Sequence, residues 1–282
     1  MIDRKRQPRI ENDCQRGNMP VTFTWQQIMS APATVLLASV LALVGAGCVT
    51  ARPPSREEVL QKILPSTVQI VVEQREGRRI TSGSGVAIAS RRTGVGASCF
   101  VLTSGHTFSG LAGKMEIYAV FGRHRGPGLK ARALLVASRN DSIDLALLRA
   151  ESDQCDTVSL ASAPVLGEPI WVIGFPLGRH IMLSSGIVSQ VGLESASDPA
   201  TSARLIVDAP VSYGVSGGGV FDARTGRLIG LVEGFSTARL TAQGPTPAWY
   251  IDVPVPGQTL VTPLADIRRF LDESEQADLL PP

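Results

Sequence analysis

The sequence predicts an all-β body of sandwich or barrel type, on three observations. Eleven short β-branched runs follow one another, separated by Gly, Asn, Asp and Ser. The 28 Gly and 19 Pro among 282 residues supply the many tight turns that short strands need. No regular alternation of strands with longer helical patterns is present, so a parallel α/β sheet is disfavoured.

Residues 1–48 read as a leader. An uncharged apolar run over 31–48 follows Arg4, Lys5, Arg6, Arg9 and Arg16 and ends in small residues, the anatomy of an export signal. Its last residue is Cys48, so the segment resembles a bacterial lipoprotein signal in which that cysteine becomes the lipidated first residue. Gly45 stands where such signals usually carry a large aliphatic. Lipidation, an uncleaved membrane anchor and simple cleavage therefore stand as three alternatives. Each places the body outside the cytoplasm, in the bacterial envelope (periplasm) or secreted, because the positive flank stays inside.

Residues 49–55 form a short linker. The Ser55-Arg56-Glu57-Glu58 capping-box pattern then opens a helix of about two turns that runs to Pro65. The predicted strands are 68–72, 85–89, 100–103, 117–120, 134–137, 144–148, 170–173, 186–190, 205–207, 219–221 and 228–232. Near the end, Thr262-Pro263 reads as an N-cap followed by proline at the first helical position, and the helix extends to about Glu273. The folded domain thus spans 56–275, with a tail over 276–282 and no internal repeat.

Charge narrows the partners. Of 27 Lys/Arg and 25 Asp/Glu, five and three lie in residues 1–47, so the body is balanced and offers no basic surface for nucleic acid. Cys14 and Cys48 belong to the leader, which leaves Cys99 and Cys155 for the body. A disulfide and two buried thiols are both compatible with that pair, since sequence does not supply the Cα separation. No Cys/His spacing suggests zinc, and nothing calls for a metal or cofactor.

Three segments carry the chemistry: Val101 to His106, Asp144 to Arg149, and Gly214 to Gly219. Ser216 sits in a glycine-dense loop between apolar strands, where backbone N–H groups are free to turn toward an oxyanion. The loop also matches Gly-x-Ser-x-Gly through Gly214, Ser216 and Gly218, the nucleophile elbow of α/β-hydrolases. That fold needs a histidine after the serine, and the three histidines, at 106, 124 and 180, all precede it. The order Asp144, His180, Ser216 fits subtilisin formally, but the strand-rich body does not. The order His106, Asp144, Ser216 remains. His106 closes an apolar strand, and Asp144 begins one that would bury its carboxylate, so each answers the other's need for a partner. Asp141 competes, in a setting that reads as a solvated turn. His124 and His180 read as loop residues.

Together these segments resemble the trypsin-like serine peptidases, and more closely the bacterial HtrA/Deg group. The resemblance is carried by Ser-Gly-Ser-Gly-Val (82–86), Leu-Thr-x-x-His (102–106), Asp-Leu-Ala-Leu-Leu (144–148), Gly-Glu-Pro-Ile-x-x-Ile-Gly-x-Pro-x-Gly (167–178), Ser-Gly-Ile-Val-Ser (185–189) and Gly-x-Ser-Gly-Gly (214–218). It implies two antiparallel six-stranded barrels, about 64–160 and 165–262, with the active site in the crevice between them. It further implies an oxyanion hole made by the N–H groups of Gly214 and Ser216, and an endopeptidase acting on protein or peptide substrates.

The departures are specific. Val215 stands where digestive relatives carry an Asp that pairs with a freed N-terminus, so no activation of that kind is expected. Pro210 occupies the expected base of the specificity pocket, where cleavage after Lys or Arg would need an acid; cleavage after small or medium apolar residues is expected instead. Glu233 falls on the expected substrate-lining strand, where it either disturbs the triad, recruits a basic side chain, or simply faces water. No PDZ pattern follows the domain. A catalytically silent barrel that binds peptides or a protein partner is the alternative reading, resting on Val215 and Glu233.

Overall fold

The computed structural model describes residues 52–280 apart from 75–76, 95, 112–113, 193–204 and 242–248. The readings made on the leader, Cys14 and Cys48 included, lie outside these residues. The body, Pro53–Pro282, forms one unit. It opens with α1 (Arg56–Ile63), whose N-cap is Ser55; Ser55 Oγ accepts from the Glu58 N–H, and the Glu58 carboxylate accepts from the Ser55 N–H. The capping box thus closes as the sequence indicates, and a short 3-10 turn over Leu64–Ser66 leads into the strands.

Twelve strands follow and close into two antiparallel six-stranded barrels. The first comprises β1 (Thr67–Gln74), β2 (Arg79–Thr93), β3 (Gly96–Thr103), β4 (Met115–Phe121), β5 (Leu129–Asn140) and β6 (Asp144–Glu151), in the order β1-β2-β3-β6-β5-β4. The second comprises β7 (Pro169–Gly174), β8 (Met182–Gln190), β9 (Leu205–Val207), β10 (Gly219–Asp222), β11 (Leu228–Thr241) and β12 (Tyr250–Pro263), in the order β10-β11-β12-β9-β8-β7. Closure leaves neither sheet a long unpaired margin, and the stagger it imposes splays the strand ends that carry the loops.

Eleven strands contain the eleven runs read from the sequence; β12 does not correspond to any. Its Pro254, Pro256 and Gly257 argue against a strand. The chain accommodates them by breaking register. Thr237 of β11 pairs with Pro254 while Phe235 pairs with Thr259, so residues 255–258 bulge out of the ladder.

The helix at the end also departs from expectation. Thr262 still pairs with Leu231, so it is a strand residue and not the N-cap. The N-cap is Pro263, extended at φ −75 and ψ 164, and α2 runs over Leu264–Glu273.

Period-two alternation explains why the central strands are apolar on both faces. Along β6, Leu148 and Ala150 point into the first barrel, while Leu145 and Leu147 join a cluster between the barrels. Along β7, Ile170 and Val172 fill the second barrel, and Trp171 and Ile173 turn to the same interbarrel cluster. Val59 and Ile63 of α1 and Ile267, Phe270 and Leu271 of α2 complete that cluster. The segment linking the barrels is tied to both: the Val158 N–H donates to the Ala87 carbonyl and the Ala161 N–H to the Leu228 carbonyl. Cys99 and Cys155 are joined by a disulfide, with Cα atoms 5.5 Å apart, which pins this linker to β3.

Candidate active site

His106 lies in a single 3-10 turn, Gly105–Phe108, at the end of β3. Gly105 is required there because a Cβ would sit 1.9 Å from the Arg139 carbonyl oxygen. Asp144 is the first residue of β6 and pairs with Asn140 across a tight turn. Its carboxylate grips the histidine twice: Oδ1 accepts from the His106 backbone N–H at 2.7 Å, and Oδ2 lies 2.6 Å from Nδ1. The Asp144 side chain is 10% exposed and that of His106 43%. A carboxylate opposite Nδ1 makes that nitrogen the proton carrier, leaving Nε2 as a lone-pair base. The Asp144 hydrogen bond, aided by the charges of Asp144 and Glu233 and opposed by burial, raises the His106 pKa above the ordinary 6.5. Asp141, the competitor, instead binds Arg139 in solvent, which lowers its pKa to about 2.

Ser216 enters from the second barrel, on the loop between β9 and β10. It lines with His106 a cavity of about 230 Å³, together with Val211, Tyr213, Val232, Glu233 and Phe235. The loop is held from several sides. The Ser216 carbonyl accepts from the Ser84 N–H at 2.9 Å, Gly217 N–H donates to the Val232 carbonyl at 2.7 Å, and Gly218 N–H to that of Val215 at 2.7 Å.

Among the amides of this loop that donate to no acceptor are those of Gly214 and of Ser216 itself. The carbonyl that shares a peptide unit with the Gly214 N–H, that of Tyr213, is taken by the Leu177 N–H at 2.7 Å. In a trans peptide the N–H then points the opposite way. Gly214 itself has φ +91, and a Cβ on it would lie 2.7 Å from the Leu177 nitrogen, so the closeness of the two loops requires glycine.

Val215 turns its side chain away from the cavity. It is 1% exposed and joins the core of the second barrel with Ile170, Val172 and Val220. Gly174 makes room for it, since a Cβ there would meet Val215 Cγ1 at 2.9 Å.

The structure therefore brings together His106, Asp144, Ser216, Gly214 and Glu233. Pro210 is exposed and is not among the residues that line this cavity, which include its neighbour Val211. Its carbonyl is anchored by the Ser184 hydroxyl at 2.8 Å. His124 lies apart, in a separate polar cavity with Gln61, Gln154 and Asp156. Sequence reasoning missed three contributors. Tyr213 and Phe235 meet edge to face with ring centroids 5.4 Å apart at the cavity wall, and Leu177 takes a left-handed conformation at φ 52, ψ 22.

Among known proteins, the family described as the trypsin-like peptidase domain matches residues 83–231. A serine protease HtrA-like protein of Staphylococcus epidermidis is 31% identical over 208 residues, covering 68% of this chain and 31% of that protein. An uncharacterized protein of Sinorhizobium fredii is 34% identical over 109 residues, 38% of this chain and 17% of its own length. The chain thus spans about a third or less of the curated relatives it matches. The crystal structure of the serine endoprotease from Yersinia pestis superposes with a TM-score of 0.57 at 22% identity, covering 79% of this chain and 67% of that one.

Proposed function

The chain belongs to the trypsin-like peptidase family, and from that premise we propose that it is a serine endopeptidase using His106, Asp144 and Ser216. The observation that carries this reading is the double grip of Asp144 on His106, which leaves Nε2 as a base in the cavity that Ser216 also lines. Ser216 Oγ attacks the peptide carbonyl carbon and its proton passes to His106 Nε2; the resulting imidazolium is stabilised by Asp144. The carbonyl oxygen gains the electron pair and is received by the free N–H groups of Gly214 and Ser216. Collapse of the tetrahedral adduct breaks the C–N bond, His106 returns the proton to the leaving amine, and water releases the acyl group by the same steps.

The apolar wall of Val211, Val232 and Phe235 supports cleavage after small or medium apolar residues. The silent-barrel alternative rests on Val215, whose side chain packs into the second barrel and supports the loop, and on Glu233, which lines the cavity with His106 and Ser216. The apolar run before Cys48 supports action outside the cytoplasm, with lipid or an uncleaved anchor as the attachment to the membrane.

Labelling of the protein with a fluorophosphonate tests the chemistry, with Ser216→Ala and His106→Ala beside it. Labelling abolished in both variants is expected; a folded protein that never labels would remove the reading. Fractionation of cells expressing the full chain, with and without Cys48→Ala, tests the attachment: loss of lipid labelling in that variant is the expected sign of lipidation.

A further inference from the structure

Ser84 lies on β2 of the first barrel, fully buried, with every polar atom engaged. Its N–H donates to the Ser216 carbonyl at 2.9 Å, and its carbonyl accepts from Thr103 Oγ1 at 2.6 Å. Its hydroxyl oxygen lies 2.7 Å from the Gly214 carbonyl oxygen and 2.8 Å from the Phe175 nitrogen. Phe175 N–H can only donate, so the single hydroxyl proton goes to Gly214. One side chain of the first barrel thus joins two separate loops of the second.

We propose that Ser84 is a positioning residue for the oxyanion hole, an inference that rests on Ser216 being the nucleophile. Glycine at 214 removes local steric control of the loop, so the directions of its peptide units must be imposed from outside. The Leu177 N–H fixes the unit before Gly214 and the Ser84 hydroxyl fixes the unit after it. The Ser84 N–H then fixes the carbonyl of the nucleophile. The Gly214 N–H lies in the unit held by Leu177, and the Ser216 N–H lies in the unit whose Val215 carbonyl accepts from Gly218 N–H at 2.7 Å, between the two units that Ser84 holds. His106 and Asp144 also belong to the first barrel, so Ser84 references the hole to the base it must serve.

The test uses a fluorophosphonate on the purified protein, whose wild type must label for either idea to stand. The maximal labelling rate, the half-saturating probe concentration and the final labelled fraction are measured separately for Ser84→Ala and Ser84→Thr. Ser84→Ala is expected to label to the full extent of its folded protein, with a maximal rate about ten- to a hundredfold lower, since small misplacements of oxyanion donors have effects of that order. Half-saturation should change less than about threefold and the acidic pH midpoint should not move, because Asp144 and His106 are untouched. Ser84→Thr, which keeps the hydroxyl, should recover most of the rate.

A Ser84→Ala rate within about threefold of wild type would overturn the proposal while leaving the peptidase reading intact. So would a smaller labelled fraction that reacts at the wild-type rate, the signature of partial unfolding, or a Ser84→Thr as slow as Ser84→Ala. A wild type that does not label overturns the peptidase reading and this inference with it.

Discussion

Asp144→Asn separates the geometric role of the carboxylate from its presence. The carboxylate accepts two hydrogen bonds, from the His106 backbone N–H at 2.7 Å and at Nδ1 across 2.6 Å. An asparagine has one oxygen, and the backbone N–H must have it, since that donor has no other tautomer to offer. The amide NH₂ is therefore forced to face Nδ1, which becomes an acceptor, and the ring proton moves to Nε2. A protonated Nε2 aimed at the cleft is no base for Ser216. In the general Ser-His-Asp template this substitution lowers kcat by about 10⁴, equivalent to about 5 kcal/mol of activation barrier. Labelling rate with a fluorophosphonate and turnover of an activated ester, each at pH 7 to 8, are the assays, with thermal melting as the control for folding. The melting temperature should shift only a few degrees, because both hydrogen bonds are replaced. A variant retaining more than about a tenth of wild-type rate would refute the tautomer argument.

The acidic limb of the wild-type rate profile should have its midpoint above the ordinary histidine value of 6.5, and Glu233→Gln should move it down because the Glu233 charge contributes to the rise. A midpoint unmoved by Glu233→Gln would place that carboxylate's influence elsewhere. The same raised pKa gives a stabilising contribution that is fully present below pH 6.5 and is lost as pH rises through the folded value, so urea midpoints should carry that sign. Reduction of Cys99–Cys155 opens a loop of sequence separation 56. Chain entropy puts that loss at about 4 kcal/mol, a fall in melting temperature of about 8–16 °C; unchanged unfolding under reductant would contradict it. Leu177→Gly should raise stability by about 0.5–1 kcal/mol, by relief of a left-handed leucine whose side chain is exposed, read as a higher urea midpoint. A less stable Leu177→Gly would mean that its conformation is not strained.

The legible parts of the molecule are those fixed by local chemistry. Strands such as 144–148 and 170–173 stand out because burial on both faces leaves an unbroken apolar run. The ends of β2 and β11 were invisible for the opposite reason: Arg91, Arg92 and Arg239 lie on exposed pairs, where a strand carries no apolar pattern. β12 was hidden by Pro254, Pro256 and Gly257; the bulge of residues 255–258 takes Pro256 and Gly257 out of the ladder. The same division runs through the site. His106 and Asp144 were readable from chain order and from their places at the ends of apolar strands. Ser84 and Leu177 were not, because a serine in a strand and a leucine in a turn acquire roles only from contacts 130 and 36 residues away in sequence.

The placement of the chemistry follows from the way the two barrels divide it. His106 and Asp144 sit on adjacent strand ends, β3 and β6, which pair directly from Thr103 and Ala146 onward, so their geometry is internal to one sheet. Ser216 and the two amides proposed for the oxyanion hole lie on one loop of the other barrel, with glycine at 214, 217 and 218. Neither half can act alone, and the distance between them is set by whatever fixes one barrel against the other. The interbarrel cluster of Leu145, Leu147, Trp171, Ile173 and Phe221 supplies that in bulk, with α1 and α2 closing its margins. Apolar packing is tolerant of small slides, however, and a hydrogen bond is directional. The polar contacts that cross between the barrels at the site therefore carry the fine adjustment: Ser84 to Gly214 and Ser216, and Ser104 Oγ to the Val232 carbonyl at 3.1 Å. The Val232 carbonyl also receives the Gly217 N–H, so the strand that lines the cleft, the nucleophile loop and the turn bearing His106 meet at one oxygen. A shift of either barrel is thereby felt at the base, the hole and the cleft wall together.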